Sequence, residues 1–139
     1  MTNFQCQMTN KFPISNEGNR RFDIHERALK FAVRAARFIN KLPRKQSTIE
    51  YGKQLIRASA SIGANLEEAD GALSKKDFLN KIGISRKEAK ESKYWLKLIR
   101  EVEAINLPED KKELDWLINE GEELKLILSS IIIKTKTKS

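Results

Sequence analysis

Apolar residues recur at steps of three and four along four stretches of this chain, the spacing of a single helix face. In the third stretch the row alternates steps of four and three, which is typical of antiparallel helices packed at about 20° to one another. We therefore predict an all-α fold, an antiparallel up-down-up-down four-helix bundle. The predicted core rows are Ala28, Phe31, Ala32, Ala35, Phe38, Ile39 and Leu42; Leu55, Ile62, Leu66, Ala69 and Leu73; Phe78, Ile82, Ser85, Ala89, Ser92, Leu96 and Ile99; and Leu114, Leu117, Ile118, Gly121, Leu124, Leu128 and Ile131.

Capping signals predict where these helices begin. A side-chain acceptor followed three residues later by an acidic residue resembles a capping box, and proline suits the first turn of a helix. The first helix should end near Leu42 and the second near Gly71. Short connections then make neighbouring helices run antiparallel. The predicted starts are Asp23 with Glu26, Ser47 with Glu50, Ser74 with Asp77, and Pro108.

The chain is predicted to form one domain, because 139 residues can bury one core but hardly two. Residues 1–21 are polar and aperiodic and are predicted to be a flexible leader, residues 22–133 the bundle, and residues 134–139 a basic, frayed tail. No apolar run approaches the roughly 18 residues that span a bilayer, and the leader lacks the apolar region of an export signal. Cys6 is the only cysteine. A cytoplasmic protein is therefore predicted.

The formal net charge of +8 is concentrated on two helix faces. Such rows attract phosphate backbones, because binding releases condensed counterions. Equally, the rows can be solvated faces that pair in part with the acidic fourth helix, at Glu109, Glu113, Glu120 and Glu123. The predicted basic rows are Arg27, Lys30, Arg34, Arg37 and Lys41 on the first helix, and Arg86, Lys90, Lys93, Lys97 and Arg100 on the third.

Aromatic residues give little support to the nucleic-acid hypothesis, because none is interleaved with the basic rows where bases could stack on it. Trp95 and Trp116 are predicted to pack within or between bundles. Tyr94 is predicted to stay near the surface and is the aromatic to test for nucleic-acid contact. No helix-turn-helix, zinc-finger or RNA-recognition signature accompanies the charge.

A second group of polar residues falls on the facing sides of the second and third helices. We predict a structural network that fixes helix register, with a ligand or catalytic site as the alternative. A carboxylate metalloenzyme using Glu68, Glu88 and Glu91 would need Glu-x-x-His pairs on two helices, and His25 is the only histidine. No catalytic residue, metal or cofactor is predicted, and His25 is assigned to the surface or the first cap. The network residues are Arg57, Asn65, Glu68, Glu88 and Glu91.

Several positions match a known pattern: the opening at Phe22 and Asp23, the second helix from Gln54 to Glu68, and the run from Ser74 to Phe78. Together with Glu91 and Leu96, they resemble the four-helix bundle family named after proteins encoded by intervening sequences in bacterial 23S rRNA genes. The resemblance spans residues 22 to about 131 and implies antiparallel bundles that associate into rings of five. This chain has Gly63 and Ala69 where many relatives carry a proline and a glycine. The matching positions are Phe22, Asp23, Gln54, Leu55, Arg57, Ser61, Ile62, Ala64, Asn65, Glu68, the Ser74, Lys75, Lys76, Asp77 and Phe78 run, Glu91 and Leu96.

The predicted function is therefore that of a non-enzymatic homo-oligomer, a pentamer by resemblance, that binds the backbone of RNA or DNA through its basic helix faces. The alternative is a protein-interaction scaffold without direct nucleic-acid binding. Some similar basic bundles are accessory factors of reverse transcriptases, which gives a protein-binding variant of the hypothesis.

Overall fold

The structure is a computed structural model that describes residues 23–138 of the chain. Its helices are α1 (Ile24–Lys41), α2 (Gln46–Asp70), α3 (Lys75–Val102) and α4 (Pro108–Thr137). Regular structure within the described residues is entirely α-helical, which confirms the all-α prediction. The predicted leader with Cys6, and also Phe22 and Ser139, lie outside the described residues.

Side-chain caps begin α1 and α3 where the sequence predicts them. The Glu26 backbone N–H donates to Asp23 Oδ1 at 2.9 Å, and the Asp77 backbone N–H donates to Ser74 Oγ at 3.0 Å. Pro108 occupies the first turn of α4, as predicted. These starts are local features, because each needs only residues three or four positions apart.

The predicted cap of α2 is wrong. The helix begins before Ser47, and the Lys45 backbone N–H donates to Thr48 Oγ1 at 2.8 Å. The Ser47 hydroxyl donates instead to the carboxylate of Glu103 at the end of α3. Ser47 therefore joins the ends of two helices and is not a local cap.

The predicted core rows are buried with few exceptions. The α3 row is buried throughout, from Phe78 to Ile99. Ala32, Ile39 and Ile118 are only half-buried at the edge of the core. Leu73 is 83% exposed, contrary to prediction, because α2 has already ended and the residue lies in the connection to α3.

The helices pack in the order α1, α2, α3 and α4, with α4 also packing on α1. The α2–α3 contact is the most extensive, and small polar residues lie within it. Ser59, Ser85 and Ser92 are buried, and Ser85 Oγ donates to the Ile62 carbonyl oxygen at 2.9 Å. A hydroxyl that satisfies a neighbouring backbone can be buried at little cost.

Small residues bring α1 and α2 close together. A Cβ built on Gly63 would lie 3.7 Å from Ala28 Cβ, and one built on Gly52 would lie 2.7 Å from Ile39 Cγ2. Glu67 of α2 contacts His25 at the start of α1, whereas Gly52 faces Ile39 near its end.

The C-terminal end is more ordered than the sequence predicts. Residues 134–137 continue α4 and Thr135 is buried, so the prediction of a frayed tail from Lys134 is wrong. Lys75 Nζ donates to the Lys138 carbonyl oxygen at 2.7 Å and joins the start of α3 to the end of α4. Basic side chains in a last turn also favour the helix, because they offset its negative end.

Candidate nucleic-acid interface

The basic row of α1 faces the acidic side of α4. Arg27 makes two hydrogen bonds to Glu120, from Nε to Oε2 at 2.9 Å and from Nη2 to Oε1 at 2.8 Å. These bonds, and the nearby charge of Glu123, raise the pKa of the Arg27 guanidinium against the opposing effect of burial. Because two N–H groups of the guanidinium already donate to one carboxylate, little of its positive charge is available to another ligand.

Arg34, two helix turns further along α1, repeats the arrangement. Its Nε donates to Glu113 Oε2 at 2.9 Å and its Nη2 to Oε1 at 2.5 Å. Its guanidinium carbon also lies 3.5 Å from the ring centre of Trp116, a cation–π contact. The hydrogen bonds from Arg34 lower the pKa of Glu113.

The remaining residues of the α1 row are paired less tightly. Lys41 Nζ lies 3.3 Å from Asp110 Oδ1. Lys30 Nζ lies 5.9 Å from the ring centre of Trp116, and Arg37 is exposed. The α1 row is therefore largely an ion-pair ladder between α1 and α4. Of the four acids considered from sequence, Glu113 and Glu120 take part, and Asp110 joins them.

The basic row of α3 lies beside α4 and is only partly neutralised. Lys93 forms a close ion pair with Glu122, whose pKa is lowered by this bond and by Lys125. Arg86 Nη1 donates to the Ser129 hydroxyl at 3.4 Å, so its partner there is uncharged.

Three exposed cations of the α3 row are paired weakly or not at all with carboxylates of residues 23–138. Arg100 Nε lies 3.7 Å from Glu101 Oε2, the neighbouring residue, in an exposed pair. Lys90 and Lys97 are exposed and form no ion pair within residues 23–138. Exposed pairs contribute little and are screened by salt. Accessible positive charge is thus concentrated on α3.

The predicted polar network forms around Arg57 but does not include all five residues. Arg57 Nη2 donates to Glu91 Oε2 at 3.0 Å, and Nη1 lies 3.8 Å from Glu88 Oε1. Asn65 donates to the Ser61 carbonyl oxygen of its own helix, and Glu68 is exposed further along α2. The structure brings Arg57, Glu88 and Glu91 together and leaves the other two apart.

His25 contacts α2, although the sequence assigned it to the surface or the first cap. Its Nδ1 lies 3.1 Å from Glu67 Oε2 and its Nε2 lies 3.4 Å from Asp70 Oδ2, and its side chain is 18% exposed. Burial, together with Glu67 and Asp23, raises the pKa of Asp70 against the effect of His25. Within residues 23–138 this is the one group of three metal-ligand side chains whose donor atoms lie within 4.8 Å of one another.

The two ring nitrogens of His25 face different carboxylates. Nδ1 lies within hydrogen-bond distance of Glu67, whereas Nε2 has no hydrogen-bond partner within residues 23–138. These contacts join the start of α1 to the end of α2.

Sequence reasoning missed the contact made by Glu103. The residue is buried at the end of α3, where it accepts from Ser47 and lies 2.9 Å from Lys45 Nζ. The hydroxyl of Ser47, and then Lys45, lower the pKa of Glu103. Its partners lie 56 and 58 positions away in sequence, and no periodic signal connects them.

The aromatic residues lie where the sequence places them. The rings of Tyr51 and Trp95 stack with centres 6.0 Å apart, and the indole N–H of Trp95 donates to Glu91 at 3.2 Å. Trp95 and Trp116 are packed against the core. Tyr94 is 56% exposed and touches the edge of Trp95.

The fold and its charge define a class, small all-α proteins with four helices and a basic face. Residues 20–130 match the model of the 23S rRNA-intervening sequence protein family, so the chain belongs to that family, as the resemblance indicated. No curated protein matches the chain.

A solved structure from Bacteroides thetaiotaomicron is similar to this chain. It is described as a protein with unknown function from the S23 ribosomal protein family. The two share 37% sequence identity over 78% of this chain and 94% of the other, with a TM-score of 0.69. None of the helices in residues 23–138 has the length and apolar character that crossing a membrane requires.

Proposed function

We propose that this protein is a non-enzymatic, antiparallel up-down-up-down bundle that assembles into a homo-oligomeric ring in the cytoplasm and holds RNA or DNA by its phosphate backbone. The exposed cations of α3 carry the proposal. Lys90, Lys97 and Arg100 remain accessible, whereas the carboxylates of α4 neutralise most of the α1 row. Phosphate contacts of this kind position a strand without reading its sequence.

A ring would strengthen such binding. A single row offers few phosphate contacts, but several copies on one strand act at high effective concentration. Exposed apolar side chains on α1 and α2 support self-association. Leu29 is 67% exposed beside a groove floored by small residues, among them Ala32, Ala60 and Ala64, and Val33 and Ile56 are also exposed. The five-fold symmetry is carried over from the family resemblance.

The positions of the carboxylates support a function without catalysis. Glu88 and Glu91 share Arg57, while Glu68 is exposed elsewhere on α2. A dinuclear carboxylate centre needs such groups to converge.

The test is the salt dependence of binding to RNA and to duplex DNA, with the oligomeric state measured by light scattering in the same buffer. A double variant Lys90→Gln/Lys97→Gln should weaken binding and lower the slope of log K against log salt by about 2, about one for each lost phosphate contact. Lys111→Gln/Lys112→Gln is the matched control, because these lysines are exposed on α4 outside both rows.

The binding measurements distinguish the α3 interface from attraction by net charge and from a protein-interaction scaffold. Equal loss in both double variants would mean that net charge alone attracts the nucleic acid and that the α3 assignment is wrong. If the intact oligomer binds neither nucleic acid at low salt, the second candidate function is favoured. That candidate is a protein-interaction scaffold that uses the exposed apolar groove between α1 and α2.

A further inference from the structure

A groove between α3 and α4 shares only Arg86 with the basic rows predicted from the sequence. It is open to solvent, with a volume of about 640 Å³, and lies at the end of the bundle where α3 begins and α4 ends. Lys76, Arg86 and Lys136 line it, and Asp77 is the one carboxylate among its lining residues. Two of the three cations, Lys76 and Lys136, belong to neither basic row. The excess of positive charge favours an anion.

The floor of the groove is open. A Cβ built on Gly83 would have no other side chain or backbone atom within 4 Å, outside its own helix turn. The apolar side chains of Leu79 and Ile132 form part of the wall. A volume between roughly 300 and 1,000 Å³ is typical of small-ligand sites. The space therefore suits one phosphate together with an attached sugar or base.

Arg86 lies between the two helices. One of its N–H groups donates to Ser129 of α4 at 3.4 Å. A guanidinium carries five N–H donors, so further donors remain for an acceptor in the groove. Planar guanidinium groups are well suited to phosphate oxygens.

We propose that this groove is a phosphate-binding subsite that holds one nucleotide unit of a bound RNA or DNA strand, with the phosphate between Lys76, Arg86 and Lys136. The inference rests on the proposed function and adds a defined position to it. Arg86 connects the groove to the exposed cations further along α3. Asp77 opposes the phosphate, so Asp77→Asn should tighten binding.

A pair of charge variants tests the subsite. Arg86→Gln/Lys136→Gln should weaken RNA binding on the order of tenfold at moderate salt and lower the salt slope by about 2. Lys87→Gln/Lys134→Gln removes the same charge from adjacent exposed positions of the same helices, outside the groove. This control should change the slope of log K against log salt by well under 1.

A variant that changes no charge tests whether the space itself is used. Gly83→Phe should place a ring in the space beside Gly83 and reduce RNA affinity, whereas Gly83→Ala should bind as the parent does. Circular dichroism checks that both remain helical. If Gly83→Phe does not fold, the charge variants decide the question.

Two results would overturn the inference. If the parent binds RNA with a steep salt slope while the groove variants match their control, the groove is not a subsite and the proposed function stands. If the parent binds no nucleic acid at low salt, the proposed function and this subsite both fail.

Discussion

The ion pair between Arg27 and Glu120 makes a quantitative prediction about what the α1 row does. Glu120 is a nearly buried carboxylate whose side chain is 11% exposed, and Arg27 is 28% exposed. If the row mainly joins α1 to α4, breaking this pair should destabilise the protein and leave nucleic-acid affinity nearly unchanged. The two single variants should also lower the free energy of unfolding by different amounts. The residue left unpaired is the nearly buried Glu120 in one variant and the more exposed Arg27 in the other.

The magnitudes follow from burial. Arg27→Met leaves the Glu120 carboxylate without two charged hydrogen bonds; removal of one partner from a fully buried pair costs about 3–5 kcal/mol, and partial water access reduces this to about 2 kcal/mol. Glu120→Gln should cost about 1 kcal/mol, because the amide keeps an acceptor and Arg27 can bind water. The double variant should cost less than the sum, with a coupling of about 1 kcal/mol.

Urea unfolding of the four proteins at one protein concentration measures this cycle, since the stability of an oligomer depends on concentration. The Lys41–Asp110 pair is the control, because Lys41 is 58% exposed and its coupling should stay below about 0.5 kcal/mol. Additivity of the Arg27 and Glu120 variants within about 0.3 kcal/mol would refute the reasoning. A large loss of RNA affinity in folded Arg27→Met would show that the row also binds phosphate.

Two further predictions concern acid stability and close packing. Arg34 lowers the pKa of Glu113 in the folded protein. The ion pair therefore adds to the free energy of unfolding above the unfolded-state pKa of about 4.3, and this contribution is lost as the pH falls through the folded-state pKa. The stability difference between the parent and Arg34→Gln should therefore shrink below about pH 4 to the part that the Trp116 contact contributes. A difference that does not shrink between pH 5 and pH 2 would contradict the assignment. Gly83→Ala should stabilise by up to about 1 kcal/mol because alanine favours helix. Gly52→Ala should be less stable than Gly83→Ala by about 1–3 kcal/mol, since its methyl group meets Ile39, and equal midpoints of thermal unfolding would disprove that close contact.

Local signals predicted much of the fold. The α3 core row from Phe78 to Ile99 could be identified because helix periodicity depends only on neighbouring residues. The caps at Asp23 and Ser74 could be identified for the same reason. Ser47 matched the same cap pattern but is held by Glu103, because a tertiary hydrogen bond replaced the local one.

The candidate interface was less predictable from the sequence. The rows on α1 and α3 have the same spacing and similar charge. The sequence therefore could not show which row keeps its positive charge available to bind phosphate. The distinction depends on which side of α4 each row meets: Arg27 and Arg34 face carboxylates, whereas Arg86 faces the Ser129 hydroxyl. The groove at Gly83 was likewise hidden, because its lining residues come from the start of α3 and the end of α4.

By itself, the sequence determined that residues 23–138 form four helices, which face of each helix is largely buried, and to which family the chain belongs. Helix periodicity, caps and motif residues are local, so they can be read without knowing which helices meet. Only the tertiary structure decided which charges are neutralised, that Leu73 is exposed, and that residues 134–137 remain helical beside the start of α3. Those outcomes depend on contacts between residues far apart in the chain, and the distance between two such groups sets their electrostatic energy.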